Sequence, residues 1–208
     1  MIDYHALDVI LTDDKTPKLL QAYFDPGGSF AGTTFDTLGA NPPNEIGSDD
    51  LLAVTLLDVR FPPRSVRNLL GGALNDLLRD MDPAARLEES PGRSLEAAAE
   101  AWHLLVDRDR DFPGIGKTIA SKLLSRKRPT LVPIADSVIL GALKPTKNHF
   151  WTELGEALSP TRMESLRQLR PPSALGVSEL RILDVAVWMT HSQSKAAKSA
   201  RKKAEAML

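Results

Sequence analysis

The 208-residue chain contains no cysteine. That excludes disulfides, thiol nucleophiles and any zinc or iron–sulfur centre built on cysteine, and it fits a reducing compartment. No run of about 18 apolar residues occurs, so no membrane-spanning helix is expected. The opening "MIDYHALDVILTDDK" carries acids where a secretory signal would carry lysines, which points to a cytoplasmic protein. Strand signals are confined to two short runs, "LDVILT" (7–12) and "TLVPI" (130–134). His103, His149 and His191 have no metal-ligand spacing among themselves or with carboxylates, so neither a metal nor another cofactor is expected.

What is present is helical periodicity. With 42% hydrophobic and 25% charged residues, the chain is a soluble globular protein able to bury a core in one large domain or two interleaved small lobes. Ser48 reads as an N-cap with Asp49 and Asp50 at the positive helix end, followed by "LLAVTLLDV". Apolar side chains recur near the 3.6 period over 63–79 and again over 95–106, after Ser94. Further helices are predicted at 117–126, 136–143, 148–158, 161–169 (with a Thr161/Glu164 capping box) and after Ser178. The fold class is all-α. Residues 1–47 read as an arm and long loop packing on the core, 48–192 as the helical domain, and 193–208 as a basic tail without an apolar face. Trp102, Trp151, Trp188, Tyr23 and Phe24 lie on or beside apolar stripes and read as core.

The formal net charge of −1 hides an asymmetry. Residues 1–60 hold three basic side chains against ten acids, whereas 117–147 hold seven basic side chains against the single acid Asp136. Such a segment can neutralise phosphates, although a charge run is more often a solvated helix face.

Within this basic region, "GIGKT" (114–118) invites reading as a nucleotide-binding P-loop. That motif needs a first glycine at position 111, which is Asp111, and a buried strand before it, where the chain has the amphipathic "AWHLLVDRDR". The alternative is a hairpin between two helices. In "FPGIG", Pro113 fixes the turn, while Gly114 and Gly116 permit unusual dihedrals and close approach. Backbone N–H groups and the N-terminus of the next helix then converge on a point suited to a phosphate oxygen, with Lys117 and Lys122 adding charge. A tight helix–helix turn without a ligand accounts for "PGIG" alone equally well.

The hairpin "FPGIGKTIA" and, sixteen residues after Ala120, Asp136 within "PTLVPIADSVI" resemble the helix-hairpin-helix DNA glycosylase superfamily that includes endonuclease III. The stretch "LLAVTLLDVRFPPRSV" (51–66) is similar to that family's early helix, with Arg60 on the glutamine that fills the gap left by an extruded base. The region from 114 also resembles an actinobacterial family of unknown function with a "GxxxAGKLLxRKRPxLxPVxDxV" run. The glycosylase resemblance spans roughly residues 48–190. It implies a two-lobed helical fold around a central helix-hairpin-helix, and double-stranded DNA as the partner.

Under that resemblance Pro113, Gly114, Ile115, Gly116, Lys117, Thr118 and Lys122 hold phosphates and Arg60 enters the base stack. Asp136 stabilises the sugar cation and orients water for cleavage of an N-glycosidic bond. Asp136 also suits a helix N-cap for "SVILGAL". Bifunctional members carry a lysine where this chain has Thr118. Lys117 lies one residue early, about 100° away around the helix, so no Schiff-base chemistry is expected. The histidine that often follows the acid is missing from "DSVI", and the family's cysteine-held cluster has no ligands here. The expectation is a monofunctional N-glycosylase acting on a modified base. The alternatives are a catalytically inactive DNA-binding module of the same fold, or a structural or interaction protein whose basic tail docks on an acidic partner or nucleic acid.

Overall fold

The computed structural model describes residues 1–107 and 111–208. Among the described residues every regular element is helical: twelve α-helices, three short 3-10 segments and no strand. In chain order the helices are α1 (Tyr4–Thr12), α2 (Lys15–Tyr23), α3 (Ser48–Thr55), α4 (Pro63–Leu70), α5 (Asn75–Asp80), α6 (Gly92–Val106), α7 (Lys117–Lys127), α8 (Ser137–Leu143), α9 (Phe150–Ala157), α10 (Pro160–Leu169), α11 (Glu179–His191) and α12 (Lys195–Glu205). The chain divides into two compact units. One combines the two ends, residues 1–33 and 137–208; the other is the continuous stretch 34–136. The second break falls directly after Asp136.

The unit made of both ends is organised on α11, whose buried side chains run almost all round the helix, from Leu180 and Ile182 to Val187 and Met189. A helix apolar on most faces has to be surrounded, and α2, α8, α10 and α12 pack against it. Ser178 starts it as predicted, its hydroxyl accepting from the Arg181 N–H. The stretch "LDVILT" is not a strand. It lies in α1, where Leu7, Ile10 and Leu11 fall on one buried face and Asp3 caps the N-terminus by accepting from the Ala6 N–H at 3.0 Å. The i, i+3, i+4 spacing outweighs the β-branched content.

The expected tail is a docked helix. Ala197 and Ala204 form the small buried face of α12, and Arg201 donates to the carbonyls of Met189 and Ser192 at the end of α11. Two alanines and one arginine suffice to dock it without an apolar stripe. The hydroxyl of Ser159, not Thr161, caps α10.

In the second unit α6 packs on α5 and α7, and α7 on α3. The periodic run 63–79 is two helices, α4 and α5, interrupted at Gly71–Gly72, where Gly72 has φ +86°. A left-handed residue there ends one helix before the next starts. Ser48 is the first residue of α3 rather than its cap, and the Asp50 carboxylate accepts from the Gly47 N–H at 2.9 Å. Residues 131–135 are buried, begin in a turn in which the Leu131 and Val132 N–H groups donate to the Arg128 carbonyl, and belong to no sheet. Their backbone is tied instead to α7, the Ala135 N–H donating to Ser121 Oγ at 3.0 Å.

Candidate nucleic-acid interface

The hairpin is built by α4 as much as by its own residues. Phe112 and Ile115 are buried, and the Ile115 N–H donates to the Phe112 carbonyl at 3.1 Å, closing the turn. Ser65 Oγ donates to the Pro113 carbonyl at 3.0 Å, and Asn68 Nδ2 donates to the Asp111 carbonyl. Gly114 has φ +81°, and a Cβ there would stand 2.7 Å from Pro62 Cγ, so both conformation and space require glycine. Gly116 differs. Its backbone is extended (φ −96°, ψ 176°), and a Cβ would meet nothing within 4 Å. It precedes α7 with no side-chain cap, leaving the first N–H groups of that helix beside open space. Lys117 and Gly116 are exposed, and Thr118 is half-buried.

Two predicted contacts point elsewhere. Ile115, at 3% exposure, is an anchor for the turn and offers no side chain to a ligand. Lys122 is buried and its Nζ donates to the Leu57 carbonyl at 2.8 Å, so its ammonium is committed to the α3 end of the unit.

The larger correction concerns the basic run. Arg126 and Lys127 are 1% and 0% exposed at the side chain and share Asp50, itself 0% exposed, at 3.2 and 2.8 Å. Arg126 also donates to the Phe35 and Leu38 carbonyls, and Lys127 Nζ to Asn41 Oδ1 at 2.6 Å. Arg128 donates to the carbonyls of Pro43, Leu78 and Met81. These cations hold the 34–47 segment, read from sequence as a long loop, onto the end of α7. Burial, the largest influence, pushes the Lys127 ammonium below its usual range even though Asp50 pulls the other way, and burial does the same to Arg128. Four of the seven basic side chains in 117–147 are therefore internal ties.

Exposed positive charge near the hairpin comes instead from residues 60–67. Arg60, Arg64 and Arg67 are exposed and make no ion pair among the described residues. Arg64 and Arg67 each precede by one residue the pair, Ser65 and Asn68, that grips the hairpin. They therefore flank the contact, about 100° round α4. The signal for them was in the sequence: no acid occurs between Asp58 and Asp76. Arg60 lies in the irregular segment between α3 and α4, not within a helix.

Asp136 is half-buried and immediately precedes α8. The Ala135–Ser121 bond fixes the residue before it against α7, the helix that begins at the hairpin. Hairpin and Asp136 thus share one supporting helix. Among the described residues no group of three or more His, Asp or Glu side chains could hold a metal ion, and no helix is long and apolar enough to cross a membrane.

No curated protein matches the chain, and no solved structure does. The model of a family of unknown function, DUF6308, matches residues 17–191, most of the chain, and the protein is a member of that family.

Proposed function

We propose that the protein binds duplex DNA through the hairpin 111–118 and acts as a monofunctional N-glycosylase on a modified base. The observation that supports this most is the pairing of an uncapped, exposed α7 N-terminus with the exposed arginines of the segment that grips the turn. Backbone N–H groups at a helix N-terminus fix one phosphate, and Arg60, Arg64, Arg67 and Lys117 neutralise its neighbours. Pro113, Gly114 and Gly116 supply the close backbone surface. Arg60 is the side chain suited to enter the stack behind a flipped base.

Asp136 is assigned the chemistry. As the N-glycosidic bond lengthens, positive charge grows on the sugar, and a carboxylate beside it stabilises that charge while orienting water. Thr118 in place of a lysine leaves water, not an enzyme amine, as the nucleophile.

A second reading keeps the DNA contact without the chemistry. Asp136 stands directly before the first residue of α8, where an aspartate serves as a helix cap. One experiment addresses both. Wild type is expected to bind a duplex carrying an abasic-site analogue more tightly than the intact duplex, with Lys117→Glu weakening it at least tenfold. A base-release screen over duplexes with modified bases is expected to give activity that Asp136→Asn abolishes. Binding without release by wild type selects the second reading, and equal affinity for both duplexes with no effect of Lys117→Glu contradicts both.

A further inference from the structure

The unit made of both chain ends carries a second charged surface unrelated to the hairpin. Lys195, Lys198 and Lys202 are exposed on α12 and fall within about 60° of one another around the helix. Lys203 is exposed beside them, and none of the four makes an ion pair among the described residues. This stripe works against its own helix. Lys195 and Lys198 sit in the first turn, where the dipole is positive, no acid offsets them, and like charges three or four residues apart repel. Docking through Ala197, Ala204 and Arg201 nevertheless holds the helix, so the lysines are presented from a fixed support.

A groove of about 850 Å³ lies between α12, the end of α2 and the Pro171–Ser173 turn; of the four lysines Lys203 alone lines it, and the other three stand on the exposed side of α12. Lys18 and Lys203 are on its walls, Asp25 is its acid, and Phe30 lines it. Phe30 is half-buried and stacked on Tyr23, with ring centroids 5.1 Å apart. Tyr23 is in turn fixed by Arg181, which donates to its hydroxyl at 2.8 Å.

We infer that this groove binds single-stranded nucleic acid, with the α12 lysines tracking the backbone and Phe30 forming part of a platform for a base. A basic track beside an aromatic side chain is the combination that holds unpaired strands without reading sequence. The three lysines span about 10 Å along the helix, room for successive phosphates of one strand. An anionic membrane fits less well, because the residues between the lysines include Ala196 and Ser199 and the exposed large apolar side chains are confined to the end of the helix, at Met207 and Leu208. An acidic peptide would use the lysines but gain little from Phe30. The inference is independent of the hairpin reading, which concerns duplex DNA and other residues.

The test is fluorescence anisotropy of the full chain with a short labelled oligothymidylate across a salt series, with poly-glutamate as competitor. Wild type is expected to bind the oligonucleotide and to resist poly-glutamate of equal charge. Lys195→Glu/Lys198→Glu/Lys202→Glu is expected to weaken binding at least tenfold and to lower the slope of log K against log salt by about 2. Phe30→Leu is expected to weaken binding about fivefold with the slope unchanged. Ser199→Gln, neutral, on the groove wall and away from the core, narrows the groove and weakens binding with the slope unchanged should Phe30→Leu disturb the Tyr23 packing. Absence of oligonucleotide binding overturns the inference, as does indifference to the lysine changes. Displacement by poly-glutamate together with no effect of Phe30→Leu and Ser199→Gln overturns it in favour of an acidic protein partner. Duplex affinity in the Lys117→Glu protein reports on the hairpin separately.

Discussion

The two ends of α7 carry the same kind of residue and use it in opposite ways. At the N-terminus, Lys117 stands exposed beside Gly116 and uncapped backbone. At the C-terminus, Arg126, Lys127 and Arg128 are buried, and one carboxylate, two asparagine oxygens and several backbone carbonyls absorb their charge. A buried ion costs several kcal/mol to desolvate, and only close pairing and well-placed acceptors offset it. The basic composition of 117–147 therefore overstates what is offered to a polyanion. Cations at the hairpin come largely from the 60–67 segment, which lies in a stretch with no acid between Asp58 and Asp76.

The contrast is broken most severely at Asp50. Asp50→Asn leaves Arg126 and Lys127 buried without a counter-charge and is expected to cost about 3–5 kcal/mol in urea denaturation, whereas Lys117→Ala should stay within about 0.5 kcal/mol. Equal effects would mean the two ends do not differ as described. Next come the hairpin glycines. Gly114→Ala meets Pro62 and a left-handed backbone, so a loss of about 1–3 kcal/mol is expected. Gly116→Val should barely move the melting temperature yet weaken duplex binding, because its side chain would fill the open space before α7.

The smallest effect is on the acid side, in the unit made of both ends. Hydrogen bonds from Thr146, and then the Met1 ammonium, hold the Glu153 carboxyl down to about 2 from its usual 4.5. The folded pKa lies below the unfolded one, so this stabilisation is complete above about pH 4.5 and drains away as pH falls toward 2. Glu153→Gln should flatten that part of the stability–pH curve and leave the neutral region little changed.

Helices and their approximate limits were legible because the apolar spacing is local. Ser178 as a cap and the start of α7 after the hairpin follow from neighbouring residues alone. What escaped was set by distant partners. Nothing near "SRKRP" announces that Asp50, some 76 residues earlier, would take two of its cations inside. Likewise α12 has only alanines to bury, and its docking depends on the open carbonyls at the end of α11. At the candidate site, the glycines and Asp136 follow from motif spacing, while Ile115 is buried beneath the turn it closes and Lys122 reaches the carbonyl of Leu57, 65 residues earlier. Arg64 and Arg67 are equally visible in the sequence, but the run 117–147 has the greater count of charges.

The central claim is that the exposed arginines of 60–67, not the run 126–128, supply the hairpin's counter-charges. It is tested most directly by the salt dependence of binding to an abasic-analogue duplex, compared between wild type and Arg60→Ala/Arg64→Ala/Arg67→Ala. The account predicts a slope of log K against log salt shallower by about 3 in the triple variant, with an unchanged melting temperature. An unchanged slope would contradict it.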